Sequence, residues 1–182
     1  MHQRIKILSI LLLTFLAVGL TAQQNPADII SVELLTSRDA GVAGETMDVA
    51  LQIHIQHPWH VYAPMGNDEF TIPITPTIKV DGQPYTIGEW SFPDGERIAV
   101  AGVEEPASVY GGDILLFTTI AFADDLPASI EISGDVYYQA CDDAQCLIPA
   151  AVDFSVSVPI VSELSVSNPI HENVFAVAIS NE

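Results

Sequence analysis

Met47-Asp48-Val49-Ala50-Leu51-Gln52-Ile53-His54-Ile55-Gln56 alternates apolar with polar side chains almost without a break. Successive side chains of a strand point to opposite faces, so this period of two marks a half-buried β-strand. Ile30-Ser31-Val32-Glu33-Leu34 shows the same alternation upstream. Thr71 to Val80 and Tyr85 to Phe92 carry it more weakly, punctuated by prolines and by the turn pairs Asp81-Gly82 and Asp94-Gly95. Ile114 to Phe122 is apolar nearly throughout and rich in branched residues, which suits a central strand buried on both faces. Ala128 to Tyr138 and Ala151 to Val158 return to alternation, and no window holds apolar residues at helical spacing for long.

Seven or so short strands separated by turns, over about 135 residues, predict an all-β fold, an immunoglobulin-like antiparallel β-sandwich. The expected domain spans 28–159. Residues 160–182 follow as a C-terminal extension or, through Asn173-Val174-Phe175-Ala176-Val177-Ala178-Ile179, a last strand. At the other end, Arg4 and Lys6 precede the apolar run Ile7 to Leu20 and the small residues Ala17, Gly19 and Ala22. That order is expected of a secretory signal peptide over 1–22, cut near Ala22 or after Gly19; the alternative is a retained anchor. The run is about 14 residues, against roughly 20 for a bilayer span.

The chain has 182 residues, 49% hydrophobic and 16% charged, enough for one domain with a core. Its 5 Lys plus Arg face 24 Asp plus Glu, and Arg97 is the last cation. Losing Arg4 and Lys6 with the signal would move the formal charge from −19 to −21. Such a surface repels phosphate backbones, so no nucleic acid or anionic membrane surface is expected as partner. The expected product is an exported, acidic protein.

The only two cysteines, Cys141 and Cys146, lie in Tyr137-Tyr138-Gln139-Ala140-Cys141-Asp142-Asp143-Ala144-Gln145-Cys146-Leu147-Ile148-Pro149. A strand ending at Cys141 and another starting at Cys146 leave a four-residue hairpin loop. Residues flanking such a loop face each other with Cα atoms about 4.5 to 5.5 Å apart, inside the window for a disulfide. A loop this short removes little entropy from the unfolded chain, so the bridge is a weak staple and better suited to opening and closing. A structural hairpin staple is the alternative. Asp142 and Asp143 disfavour a thiolate beside them, so neither cysteine reads as a self-activated nucleophile; the pair reads as the target of a partner's low-pKa thiolate.

These residues resemble the N-terminal periplasmic domain of the thiol:disulfide interchange protein DsbD, in which a Tyr-Gln-small-Cys strand, a short polar loop, a second Cys and a nearby Pro form a redox hairpin. Pro58-Trp59-His60-Val61-Tyr62, Phe92-Pro93-Asp94-Gly95 and Val109-Tyr110-Gly111 keep the family's order, and the likeness runs from about Ile29 to Pro159. It implies Cys141 and Cys146 as the catalytic redox pair, with Tyr62, His60, Tyr138, Asp142 and Asp143 around it. Tyr62 falls at a family active-site tyrosine, and His60 stands where a second aromatic would be tyrosine. A cap loop shielding the pair would match Arg97 to Ser108, with Val103, Glu104 and Glu105 at its tip, although no aromatic lies there. By analogy Cys146 is attacked first. The implied donor is a thioredoxin-like domain or a DsbD-type membrane reductase, and the implied acceptors are oxidised periplasmic proteins. No cofactor, metal or small-molecule substrate is implied. The 182 residues hold no Cys-x-x-Cys motif, so the chain would serve as a protein-disulfide reductase component fed by an external reductant.

Other constellations are weaker. His54, His57 and His60 recur every third residue near Met47 and Met65, but strand alternation sends His54 and His57 to opposite faces; an edge strand with exposed imidazoles is expected rather than a zinc or copper site. There is no Gly-x-Ser-x-Gly elbow, and Glu104-Glu105 and Asp124-Asp125 read as solvated loop acids. Trp59 and Trp90 read as core or rim aromatics, with Trp59 a candidate border of the cysteine site. Two functions remain: a periplasmic thiol:disulfide exchange domain, and an immunoglobulin-like binding or adhesion module with a structural disulfide.

Overall fold

The computed structural model describes residues 25–65, 71–81, 85–99 and 105–179. The expected signal peptide, Gly82 of the turn pair and the cap residues Val103 and Glu104 lie outside them. In chain order the strands are β1 (Ile30–Thr36), β2 (Gly41–Val42), β3 (Thr46–Ile55), β4 (His60–Tyr62), β5 (Thr75–Val80), β6 (Tyr85–Ile87), β7 (Glu96–Ile98), β8 (Ala107–Tyr110), β9 (Gly112–Phe122), β10 (Ser129–Tyr138), β11 (Ala140–Cys141) and β12 (Ala150–Val161), followed by helix α1 (Glu172–Ile179).

Two four-stranded sheets, ordered β1-β3-β9-β6 and β2-β12-β10-β5, make the immunoglobulin-like sandwich; every pairing in them is antiparallel except the two-residue contact of β2 with β12. The alternating stretches become its long strands. Met47, Val49, Leu51, Ile53 and Ile55 of β3 are buried, as are Leu116, Ile120 and Phe122 of β9 and Ile130, Ile132, Val136 and Tyr138 of β10, and all belong to one core. Gly134 interrupts that inward series on β10 because a Cβ there would strike the Thr77 carbonyl and the Phe154 ring, which closes over the gap.

Two sequence expectations change. Ile114 to Phe122 is not sealed on both faces: Leu116, Thr118, Ile120 and Phe122 are buried, while Leu115, Phe117, Thr119 and Ala121 are only partly covered. The outer face is apolar because part of it receives the C-terminal tail. Asn173 to Ile179, read as a candidate strand, lies within α1. Ser167 donates its hydroxyl to the Ala40 carbonyl, Asn168 hydrogen-bonds both carboxylate oxygens of Asp39, and the Ile170 N–H reaches the Ser37 carbonyl. The tail is thereby pinned beside β1, and α1 brings Phe175 edge-on to Phe117 with ring centroids 6.1 Å apart. A strand would have sent Val174 and Phe175 to opposite sides; both are partly buried in the helix.

A third sheet, β11-β4-β8-β7, grows from the same end of the sandwich. β3 leads into β4, β10 into β11, and β8 into β9 through Gly111 and Gly112. Gly112 has φ 67°, in the left-handed region that glycine adopts without a Cβ clash. The register sets two faces. Ala140, Val61 and Tyr110 stand opposite one another and close the end of the main core, whereas Cys141 stands opposite His60, and Tyr62 opposite Val109, on the other face.

Candidate functional site: the cysteine hairpin and its sheet

Cys141 and Cys146 form a disulfide with Cα atoms 4.0 Å apart. The expected four-residue connection is present: the Asp142 N–H donates to the Gln145 carbonyl at 2.9 Å and the Leu147 N–H to the Ala140 carbonyl at 2.9 Å. Those bonds flank the cysteine pair and leave it without backbone bonds of its own, the closer of the two antiparallel pair types. Asp142 builds the turn, its Oδ1 accepting the N–H groups of Ala144 and Gln145 at 2.8 Å each. The bond from Ala144, then that from Gln145, hold its carboxyl below the usual carboxylate range. Gln139 braces the returning arm through its Nε2, which donates to the Leu147 carbonyl at 2.9 Å.

The two sulfur-bearing residues differ in access. Cys141 is 0% exposed, whereas Cys146 and its neighbours Asp143, Ala144, Gln145 and Ile148 are exposed. Cys141 packs with Tyr62, Ala107 and Val109, and Ile98 leans on the group from β7. The Tyr62 hydroxyl lies 3.9 Å from Cys141 Sγ, within reach of a hydrogen bond to sulfur.

His60, the cross-strand neighbour of Cys141, is buried, and its Nε2 has no hydrogen-bond partner among the described residues. Its ring meets that of Tyr62 edge-on at 6.3 Å. Burial pushes the imidazole below its ordinary range, against the opposing pull of Asp143 and Asp142. The expected edge strand with exposed imidazoles does not hold for it. For His54 and His57 the exposure holds, but His54 is not on an edge: its strand β3 runs between β1 and β9, and its Nδ1 meets Asp113 at 2.6 Å across the β3–β9 pair. Among the described residues no three His, Cys, Asp or Glu side chains converge in metal-binding reach.

Tyr62, His60, Asp142 and Asp143 are thus gathered around the disulfide, and Tyr138 is not. It points into the main core, where its hydroxyl donates to the Pro26 carbonyl and burial raises its pKa to about 12. Trp59 is likewise a core residue. Glu105 is exposed just before β8. Missed in the sequence were Ile98, Ala107 and Val109, the inner wall of the β7–β8 hairpin that lies against Cys141. Their strands are three and four residues long, too short to show a period; the resemblance places Ile98 and Ala107 within the Arg97 to Ser108 cap match but does not single them out. The hairpin is held at its base: Tyr110 donates its hydroxyl to the Pro93 carbonyl at 2.8 Å, and a Cβ on Gly95 would run into Ser108 Oγ.

The family model described as thiol:disulfide interchange protein DsbD, N-terminal, matches residues 31–157. The N-terminal periplasmic domain of ScsB from Proteus mirabilis superposes with a TM-score of 0.56 at 13% identity, over 87% of this chain and 55% of that one, a likeness of fold. The reduced DsbD N-terminal domain of Neisseria meningitidis aligns at a TM-score of 0.48 and 19% identity, covering 75% of this chain and 90% of that one. A chain from the complex of the DsbD and PilB N-terminal domains of the same organism aligns at 0.43 and 16%, covering 74% and 87%. A search of curated proteins returned no match.

Proposed function

The chain belongs to the family of DsbD N-terminal domains, and we propose that it is an exported, periplasmic thiol:disulfide exchange domain that relays electrons through Cys141 and Cys146. The observation that carries this reading is the asymmetry of the disulfide, one cysteine exposed on the hairpin and the other buried against Tyr62. A partner thiolate attacks Cys146 Sγ in line with the sulfur–sulfur bond, forming a mixed disulfide with Cys146. The bond's electron pair leaves on Cys141, where the Tyr62 hydroxyl can donate to the new thiolate. The partner's second thiolate then attacks the partner sulfur of the mixed disulfide and releases Cys146. The partner dithiol ends oxidised and the cysteine pair reduced, ready to reduce an oxidised periplasmic protein by the reverse sequence.

The donor in this reading is a thioredoxin-like domain or a DsbD-type membrane reductase, because the chain's only two cysteines are the pair being reduced. A disulfide in the resting protein suits an oxidising compartment. The 28–159 domain carries the exchange chemistry, and the β7–β8 hairpin, Glu105 included, is the cap that a partner must meet or displace.

Trapping tests the reading. Challenged with a reduced thioredoxin-like protein, wild type should be reduced; challenged with the same protein in its oxidised form, whose disulfide the lone thiol attacks, Cys141→Ala should accumulate a mixed disulfide through Cys146, and Cys146→Ala should not. A pair that stays oxidised in the folded protein leaves the structural-staple function, a binding module, in its place. Trapping on Cys146→Ala instead would reverse the order of attack.

A further inference from the structure

The unpartnered Nε2 of His60 is the feature the exchange steps leave unused. A buried polar atom without a partner is costly relative to a paired one, and here it belongs to the residue directly opposite Cys141 across the strand pair. Directly opposed residues of an antiparallel pair put their side chains on one face with Cβ atoms about 4.5–5.5 Å apart. Around His60 are the Tyr62 ring, the apolar wall with Val109, and the charged Asp142 and Asp143 of the hairpin loop. A disulfide sulfur is a poor acceptor and no donor. Reduction changes that, since the Cys141 sulfur becomes either a thiol that can donate or a thiolate that accepts strongly.

We infer that His60 is the proton partner of the Cys141 sulfur in the reduced protein, and that this pairing stabilises the reduced state and sets how readily the disulfide is opened. The inference deepens the exchange reading, and uses its order of attack, by assigning the fate of the leaving sulfur. As the sulfur–sulfur bond breaks and its electron pair leaves on Cys141, the neutral imidazole donates its Nε2–H as a hydrogen bond to that thiolate, and one proton taken up from solvent is shared between the two as a thiolate–imidazolium or thiol–imidazole pair. When the reduced pair is later oxidised, the shared proton is released to solvent as the Cys141 thiolate attacks, and the imidazole returns to its neutral form. His60 acts through Cys141, so it is a positioning and proton-handling residue. The oxidised protein, which supplies no such acceptor, leaves Nε2 alone. Burial favours the neutral imidazole there, and the two aspartates hold a pull in the other direction.

The test uses the full chain, opened chemically with dithiothreitol so that no protein partner is needed. The Cys141 Cβ carbon shift and the His60 ring nitrogen shifts are followed by NMR across pH, and the disulfide–dithiol equilibrium is measured against glutathione. In wild type the two residues should titrate as one coupled pair. His60→Phe should abolish the coupled step, raise the Cys141 thiol pKa by about one unit, and make the pair about tenfold harder to reduce, near 30 mV for two electrons. His60→Gln keeps a side-chain donor but cannot titrate; it should hold the equilibrium near wild type while losing the coupled step, and it decides the matter if His60→Phe does not fold. Cys141 titrating independently of His60 in wild type, or an equilibrium within twofold of wild type in His60→Phe, overturns the inference. Failure of the exchange reading appears separately, as wild type that dithiothreitol opens but a thioredoxin-like protein does not.

Discussion

In the main core Val49, Leu51 and Ile53 of β3 and Leu116 of β9 meet Ile132 and Val136 of β10, and the polar groups that enter are satisfied: the Tyr138 hydroxyl on the Pro26 carbonyl, the Thr118 hydroxyl on the Gly88 carbonyl at 2.9 Å. In the cluster on the outer face of the small sheet, Cys141, Tyr62, Ala107 and Val109 pack around chemistry rather than bulk, and His60 Nε2 is left alone. The first region is large, apolar and saturated. The second is small, held by strands of two to four residues, and keeps a polar atom in reserve. Stability should therefore reside in the first and reactivity in the second, and mutations can pull the two apart.

The largest effect is expected in the main core. Ile132 is fully buried between β5 and β12, so Ile132→Ala removes its apolar contacts and leaves a cavity. Chemical denaturation should show a loss of about 2–5 kcal/mol. The disulfide equilibrium should stay within twofold of wild type, because Ile132 touches the other side of the molecule's division of labour. A large shift in that equilibrium would break the comparison.

Opening the disulfide comes next. The bridge joins residues only 5 apart in sequence, and closing so short a loop accounts for about 2 kcal/mol of chain entropy. Reduced and oxidised protein should therefore both be folded, with denaturation midpoints separated by less than Ile132→Ala produces. A reduced protein that unfolds would make the cysteine pair a true staple and place stability in the second region as well.

This division also explains what could be read in the sequence. The long strands β3, β10 and β12 carry enough alternating positions to announce themselves, and the Cys141–Cys146 hairpin was legible from its spacing alone. The sheet that surrounds the cysteines was not, because β4, β7, β8 and β11 offer two to four residues each and their faces are decided by pairing partners distant in the chain. His60 illustrates the limit. Its place in a run of three histidines suggested an exposed edge, and only the register opposite Cys141 shows that it is buried. The helix α1 was hidden for the same reason, since eight residues docked by Phe175 on Phe117 hold too few turns to display a period.

Within the second region, Tyr62→Phe removes one hydroxyl and little volume. The loss of a single hydrogen bond to sulfur should change the unfolding free energy of the oxidised protein by no more than about 1 kcal/mol. Its effect should appear instead in the rate at which a thioredoxin-like protein reduces the pair, which should fall because the Cys141 thiolate leaves with one donor fewer. An unchanged rate would remove Tyr62 from the site and leave it as wall.

The smallest effect belongs to His60 in the oxidised protein, and its sign follows from burial. The imidazole's pKa is lowered from 6.5 in the folded state, so below pH 6.5 the unfolded chain binds more protons than the folded one. Stability is full above that value and is lost as pH falls from 6.5 through the depressed pKa. Asp142 and Asp143 limit the loss by favouring the imidazolium. Asp142's own titration lies lower, below 3.8, so the loss of stability that begins as pH falls below 6.5 reports His60 rather than Asp142. His60→Phe should flatten that part of the profile in the oxidised protein. If the slope survives the substitution, His60 is not held neutral in the disulfide state, and the contrast between a saturated core and a poised outer cluster loses its sharpest element.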